Sequence, residues 1–339
     1  HFDYMIVNGI DTITVTYNLQ ECGISKSNVI DAMYSKEERY KYKNGEDEIH
    51  YAYWTGSFIS SEYHTIGVYC SDDRMTINGS IPKFVNGNNF QGIDAEQMGG
   101  AFEVLSNVVG ADLGSGAVTR VDYASNLFMN HNPKLYYQFF GNSHKFKRLE
   151  MDTTLTYKGS RGQARSKVLM DKTVWAKDTK NKIPDFFEDK NIIRFENRLM
   201  TSNRIAHALE LKNKPTLEDI MRIDNLLKLH DDWKRQYFKI QKQHNIIDFS
   251  KYMQKGYYSP NEMIQVYFLT LIQESGDKSF EDLMKFIREE KKFGTGQVGY
   301  NNTSRFLKKI KELKSGWIAN DNDMVKEIDQ AINMTDYML

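Results

Sequence analysis

The chain has 339 residues and carries 45 basic against 45 acidic side chains, a formal net charge of zero. That balance excludes a uniformly basic nucleic-acid coat and a polyanionic disordered tail, and the length exceeds what one compact core usually holds, so two domains, or one with a substantial appendage, are expected. Two cysteines, Cys22 and Cys70, are too few for a disulfide-stapled scaffold. With no run of about 18 apolar residues and no leader pattern, a soluble cytoplasmic protein with no membrane segment is expected.

In chain order, Ile13, Val15, Tyr17 and Leu19 alternate with Thr12, Thr14, Thr16 and Asn18, the period-two pattern of a half-buried strand. Thr65–Tyr69 and Met75–Ile81 flank the polar run Ser71-Asp72-Asp73-Arg74 and predict a hairpin. Asp94 and Gln97 form a capping-box pattern ahead of a helix with an apolar stripe of Met98, Ala101, Phe102, Leu105 and Val108. A strand at Val118–Met129 follows, and Pro133 opens a short aromatic helix through Phe140. Residues 153–158, 166–175 and 191–200 read as three further strands.

After Met200 the pattern becomes helical. Thr216 with Asp219, Ser259 with Glu262, and Ser279 with Asp282 each place an N-cap acceptor three residues ahead of a carboxylate, and Pro260 sits at the favoured first helical position. Leu217–Gln243 predicts one long helix with Ile220, Ile223, Leu226 and Leu227 on one side, and the Gly-rich Gly294–Asn302 predicts a loop. The fold class expected is therefore α+β. A mixed, largely antiparallel sheet domain with packed helices would occupy residues 1–200, and an all-helical region binding DNA or a partner would occupy residues 201–339.

Zero net charge hides an uneven distribution. Between Gly141 and Lys182 there are eleven basic and four acidic residues, the former including Lys158, Arg161, Arg165, Lys167 and Lys172. Such a window is either a solvated lysine-rich face or a polyanion site, and an excess of seven in a neutral chain favours the second. Tyr157 and Trp175 within it offer flat surfaces for unpaired bases.

Three strand segments carry ionisable residues where aliphatics would be expected. Side chains two apart share a face, which groups Arg120 with Asp122, then Arg194, Glu196 and Arg198, then Val168, Met170 and Lys172. If these strands are neighbours, Asp122 and Glu196 converge with Lys172 and the arginines. Two readings follow: oxygen ligands for Mg²⁺ or Mn²⁺ with cations beside them for a phosphate, or structural ion pairs, which spacing alone favours. The eight histidines are scattered with no zinc spacing, and no Walker loop, dinucleotide fingerprint or nucleophile elbow is present.

Lys83-Phe84, Gly87-Asn88-Asn89-Phe90, Thr119-Arg120-Val121-Asp122 and Arg194-Phe195-Glu196-Asn197-Arg198-Leu199-Met200 stand in the order of landmarks of a known family. From about Ile10 to Met200 the chain resembles the phage and plasmid replication initiators, the family of the filamentous-phage gene-two protein and its relatives in Bacteroidales elements. It is more distantly similar to the staphylococcal rolling-circle plasmid initiators. The resemblance implies a rolling-circle initiator in a bacterial host cell that nicks one strand at a DNA origin. A tyrosine would attack the scissile phosphate with Mg²⁺ or Mn²⁺ as cofactor.

Carried over, it implies Asp122 and Glu196 as metal ligands, Glu150 or Asp152 as a weaker third, and Lys172 as the cation that stabilises the transition state. It implies DNA contacts from Arg120, Arg194, Arg198, Lys158, Arg161, Arg165 and Lys167. Partners would be origin duplex and single strand, a second protomer and host replication proteins. The sequence departs from the family at the nucleophile, where a Tyr-x-Lys pattern is replaced by Met170-Asp171-Lys172. Three readings follow: Tyr157 stands in from the preceding strand, the register shifts to a tyrosine such as Tyr137, or nicking is lost and an origin-binding regulator remains. A phage structural or interaction protein on the same scaffold is the third reading.

Overall fold

The computed structural model describes residues 7–42, 49–60, 64–159, 165–179, 181, 183–242, 301, 304–305, 308 and 323–335. The chain divides into two compact units. One comprises His1–Leu135, Ser143–Lys239 and Ile328–Leu339; the other comprises Tyr136–Asn142 and Ile240–Glu327. The expected helices behind Ser259 and Ser279, and the loop at Gly294–Asn302 apart from Asn301, lie outside the described residues.

The strands are β1 (Val7–Asn18), β2 (Tyr34–Tyr42), β3 (Ile49–Ile59), β4 (Thr65–Cys70), β5 (Arg74–Ser80), β6 (Ala117–Met129), β7 (Phe140–Ser143), β8 (Phe146–Glu150), β9 (Thr154–Gly159), β10 (Arg165–Asp171), β11 (Asn191–Leu199) and β12 (Ile240–Lys242). The helices are α1 (Lys26–Ala32), α2 (Ile81–Asn86), α3 (Ala95–Val109), α4 (Pro133–Tyr137), α5 (Lys172–Asp178), α6 (Ser202–Leu209), α7 (Leu217–Met221), α8 (Ile223–Phe238) and α9 (Asp323–Met334). The fold is α+β, as expected. In the first unit ten strands form a sheet in the order β8-β9-β10-β11-β6-β1-β5-β4-β3-β2, with antiparallel pairing throughout.

The central strands follow from pattern. Ile13, Val15 and Tyr17 are buried on one face of β1, whose threonines take the other. β6 lies between β1 and β11 and is buried on both faces over most of its length. The Asp94–Gln97 capping box is present at the start of α3, where Met98, Ala101, Phe102 and Leu105 are buried and Val109 replaces Val108 as the next buried position.

Several expected boundaries move, each for a local reason. The strand expected at 166–175 stops at Asp171, whose carboxylate accepts the Val174 N–H at 3.0 Å and so caps α5, with Lys172 as its first residue. The strand expected to reach Ile81 stops at Ser80, which caps α2 ahead of Pro82. The helix opened by Pro133 ends at Tyr137, and Phe140 begins β7.

The long helix expected over Leu217–Gln243 is two helices, because Arg222 adopts an extended backbone (ψ 131°) after the capped turn of α7. Its buried side is Leu229, Trp233 and Tyr237, four residues apart, while Ile223 and Leu227 are exposed. α6 and α8 cover one face of the sheet. There Trp233 packs on Phe195 and Tyr123 and its indole N–H donates to the Phe195 carbonyl at 3.0 Å. His230 lies between the Tyr123 hydroxyl (3.3 Å) and Thr335 Oγ1 (3.2 Å). The opposite face carries α5 and a small core of Phe90, Ala176, Phe187 and Ile192.

Trp233 joins sheet, helix and hydrogen bond in one side chain. Trp233→Ala is expected to cost about 3–5 kcal/mol, the range for deleting a fully buried aromatic. Urea unfolding measures it, and a loss below about 1 kcal/mol would contradict this packing account.

Candidate functional site

The site is built by register. β11 pairs with β6 so that Arg198 lies opposite Asp122, Glu196 opposite Ala124 and Arg194 opposite Asn126. Because side chains alternate, Arg120, Asp122 and Asn126 share a face with Arg194, Glu196 and Arg198. β10 adds Val168 opposite Glu196 and Met170 opposite Arg194 on that same face.

A chain of ion pairs runs along this face. Arg120 grips Asp122 with two hydrogen bonds, at 2.9 and 2.6 Å. Arg198 reaches Asp122 at 3.7 Å and holds Glu196 Oε2 at 2.8 and 2.5 Å. Arg194 donates to Glu196 Oε1 at 2.7 Å and pairs with Asp11 at 3.1 Å. Asp11 also accepts from Ser80 Oγ at 2.9 Å and from the Asn89 amide at 3.0 Å. Asn89 in turn accepts from Lys172 Nζ at 2.5 Å, and that ammonium sits over the rings of Phe90 (4.9 Å) and Trp175 (4.8 Å).

Asp11, Asp122, Lys172, Arg194 and Glu196 are all buried, so the charges tune one another strongly. Burial pushes the Asp11 carboxyl up, but Arg194, Asn89 and Lys172 outweigh it and hold the group at about 2. Glu196 is likewise held below the usual carboxylate range, with burial opposed by Arg194 and Arg198. Asp122 goes the other way, since burial raises it by more than Arg120 and Arg198 lower it. Burial, reinforced by the Arg194 charge, pushes Lys172 well below the ordinary lysine value.

Two members of the cluster were not legible as such. Asp11 occupies a bulge, where the β1–β6 register slips between Ile10 and Thr12, so strict alternation hides its direction. Gly9 just before it has φ +147°, and a Cβ there would meet the Ile93 carbonyl at 3.0 Å. Asn89 stands in the Gly87–Phe90 landmark but was given no role there; two adjacent asparagines after a capping glycine are the only signal.

Of the remaining expected residues, Lys158 shares this face and most of the others do not. Tyr157 lies opposite Lys167, which lies opposite Asn197, so all three point to the α6–α8 side. Tyr157 is fully buried there, and burial raises its hydroxyl far above the usual phenol range. Lys167 is also fully buried, donating to Ser143 Oγ at 2.8 Å over the Phe146 ring, and offers no ammonium to DNA. Arg165 pairs with the buried Asp232 at 2.8 Å on the same side.

Glu150 is exposed on β8, three strands from β11, bound to Arg148 at 2.6 Å and facing away from the cluster. Asp152 is fully exposed with Lys134 at 3.9 Å. Tyr137 is buried within the second unit. Lys158 is exposed and lies in line with Ser166 and Arg198 on the cluster face. Arg161 lies outside the described residues.

The donor set tests the expected Mg²⁺ or Mn²⁺. A hard cation needs several carboxylate or carbonyl oxygens directed at one point. Here both oxygens of Asp122 and both of Glu196 are taken by guanidinium N–H groups. Among the described residues no group of three His, Cys, Asp or Glu is arranged to hold a metal ion. In this arrangement the residues do not fit a divalent cation: Glu150 stands apart from Asp122 and Glu196, whose oxygens are held by arginine.

No protein-family model matches the chain, and a search of curated proteins found no match. Among solved structures, the chain is similar to a rolling circle replication initiator protein from Geobacillus stearothermophilus, at 15% identity over 76% of this chain and 91% of that one, with a TM-score of 0.39. A likeness this remote carries no weight in assigning residues or activity.

The pH dependence of stability follows from Asp11. A carboxyl held at about 2 in the folded protein against an ordinary 3.8 favours folding above that ordinary value. Its contribution, about 2 kcal/mol, is lost as pH falls through the folded value. Urea unfolding between about pH 6 and pH 2.5 is expected to show a steeper loss for the native chain than for Asp11→Asn, which should begin less stable. Parallel curves would mean that Arg194 does not stabilise the Asp11 charge.

Proposed function

We propose that this protein is an initiator-type DNA-binding protein that holds one strand of a replication origin against the face bearing Asp122, Glu196 and their arginines. The carrying observation is the convergence of three separated sequence landmarks, Asn89, Arg120–Asp122 and Arg194–Arg198, into one bonded cluster. At its margin Arg120 and Arg198 keep 29% and 31% of their side-chain surface exposed. Both guanidinia are oriented by buried carboxylates, which leaves further N–H groups for phosphate oxygens, and the exposed Lys158 extends the row.

Of the two forms this reading can take, holding is better supported than nicking. Met170 occupies the position that resembles the family nucleophile, beside Arg194, and a thioether has no proton to lose and no oxygen with which to attack phosphorus. Tyr157 is directed to the other side of the sheet. The carboxylates are engaged by arginine rather than presented to a cation.

Labelled single-stranded oligonucleotides tiling the element that encodes the protein test both parts. Binding is expected, weakening steeply with salt as phosphate contacts require, with no covalent adduct on a denaturing gel in the presence of Mn²⁺. A labelled protein band would overturn holding in favour of nicking. Absence of binding even at low salt would overturn the DNA reading and favour a structural or interaction protein.

A further inference from the structure

On the α6–α8 side of the sheet, away from the cluster, the first unit contains an open groove of about 800 Å³, within the usual range for ligand sites of roughly 300–1,000 Å³. Its charged lining is Arg165 from β10, Arg204 and His207 from α6, Arg235 from α8 and Lys239 just beyond it, against Asp232 and Glu210. Among the described residues, four permanent cations thus face two carboxylates, and Lys228 offsets Glu210 at 3.4 Å.

Asp232 organises this lining. It is buried and receives Arg165 at 2.8 Å, Arg235 at 2.9 Å, Asn197 at 2.9 Å and Gln236 at 3.3 Å. Burial pushes its carboxyl up, but Arg165, Arg235 and Asn197 hold it below the usual range, so it stays ionised and fixes both arginines. The buried Arg165 Nη1 stands 2.8 Å from Asp232 Oδ2, which fixes this guanidinium at the groove wall. One carboxylate that orients two forks, whose other N–H groups border open space, is an arrangement suited to a tetrahedral anion.

We propose that this groove binds the phosphodiester backbone of single-stranded DNA, as a second contact on the opposite face of the sheet from the cluster. The inference rests on the DNA reading above and extends it to residues which that reading does not use. Phe146 on the groove wall supplies an aromatic surface for an unpaired base, which favours a single strand over a duplex. A competing account is that Arg235, Lys239 and His207 only offset the C-terminal dipoles of α6 and α8. That account predicts lost stability with no change in DNA binding.

The test uses the full chain and an Arg204→Gln/Lys239→Gln double variant, which leaves the Asp232 pairs intact. Affinity for a labelled oligothymidylate is measured against salt, with thermal melting as the fold check. Binding about 3- to 10-fold weaker, with a salt slope shallower by about 1–2, is expected for loss of phosphate contacts. Unchanged affinity and slope in a folded variant would overturn the groove while leaving DNA binding by the cluster face standing. No DNA binding by the native chain would overturn both. Native chain stabilised by thymidine monophosphate, with oligonucleotide affinity equal in both proteins, would overturn the backbone assignment in favour of a free nucleotide.

Discussion

Everything on the cluster face depends on Arg194, a guanidinium sealed within the sheet. Taking a charge out of water costs several kcal/mol unless partners restore what hydration supplied. Arg194 finds Glu196 two residues along its own strand, Asp11 on β1, and the Asn89 and Asn126 oxygens at 3.2 and 3.1 Å. Those partners come from four parts of the chain, so satisfying one side chain fixes the positions of β1, β6, β11 and the segment after α2 together. A one-residue slip of β11 against β6 would turn Arg194 and Glu196 toward Phe195's side and leave all of these groups unpaired. The cluster therefore specifies register, whatever else it does.

That dependence constrains function as well. A carboxylate already bonded to two guanidinium N–H groups has few lone pairs left for a metal, and a guanidinium so oriented has N–H groups to spare for an anion. The same buried acid thus argues against one ligand class and for the other. Asp232 repeats the device on the far face with Arg165 and Arg235. In both places the acid is hidden and part of the basic lining remains accessible, which is how a chain of zero net charge can present cationic surfaces.

Legibility in the sequence divides along physical lines. Alternation along β1 and the boxes at Asp94 and Thr216 are readable, because burial on one face and an unsatisfied helix start each leave a short-range mark. β2 and its partner β3 were not: Ser35-Lys36-Glu37-Glu38-Arg39 carries no apolar period, since an edge strand exposed along its length has no face to bury. The end of β10 was hidden because Asp171 serves as a cap within a run that otherwise reads as strand. Convergence of Asp122 with Glu196 was legible as a parity argument. The resemblance implies Glu150 as a third acid, whereas the third acid of the bonded cluster is Asp11, brought in from β1 at a bulge.

Met170 gains its meaning from the same register. On β10 it lies opposite Arg194, in contact range of the cluster, and it is buried. An apolar side chain there seals the guanidinium from water and strengthens the Arg194 ion pairs by lowering the local dielectric. A tyrosine in its place would bring a hydroxyl beside Arg194 and compete for the carboxylates.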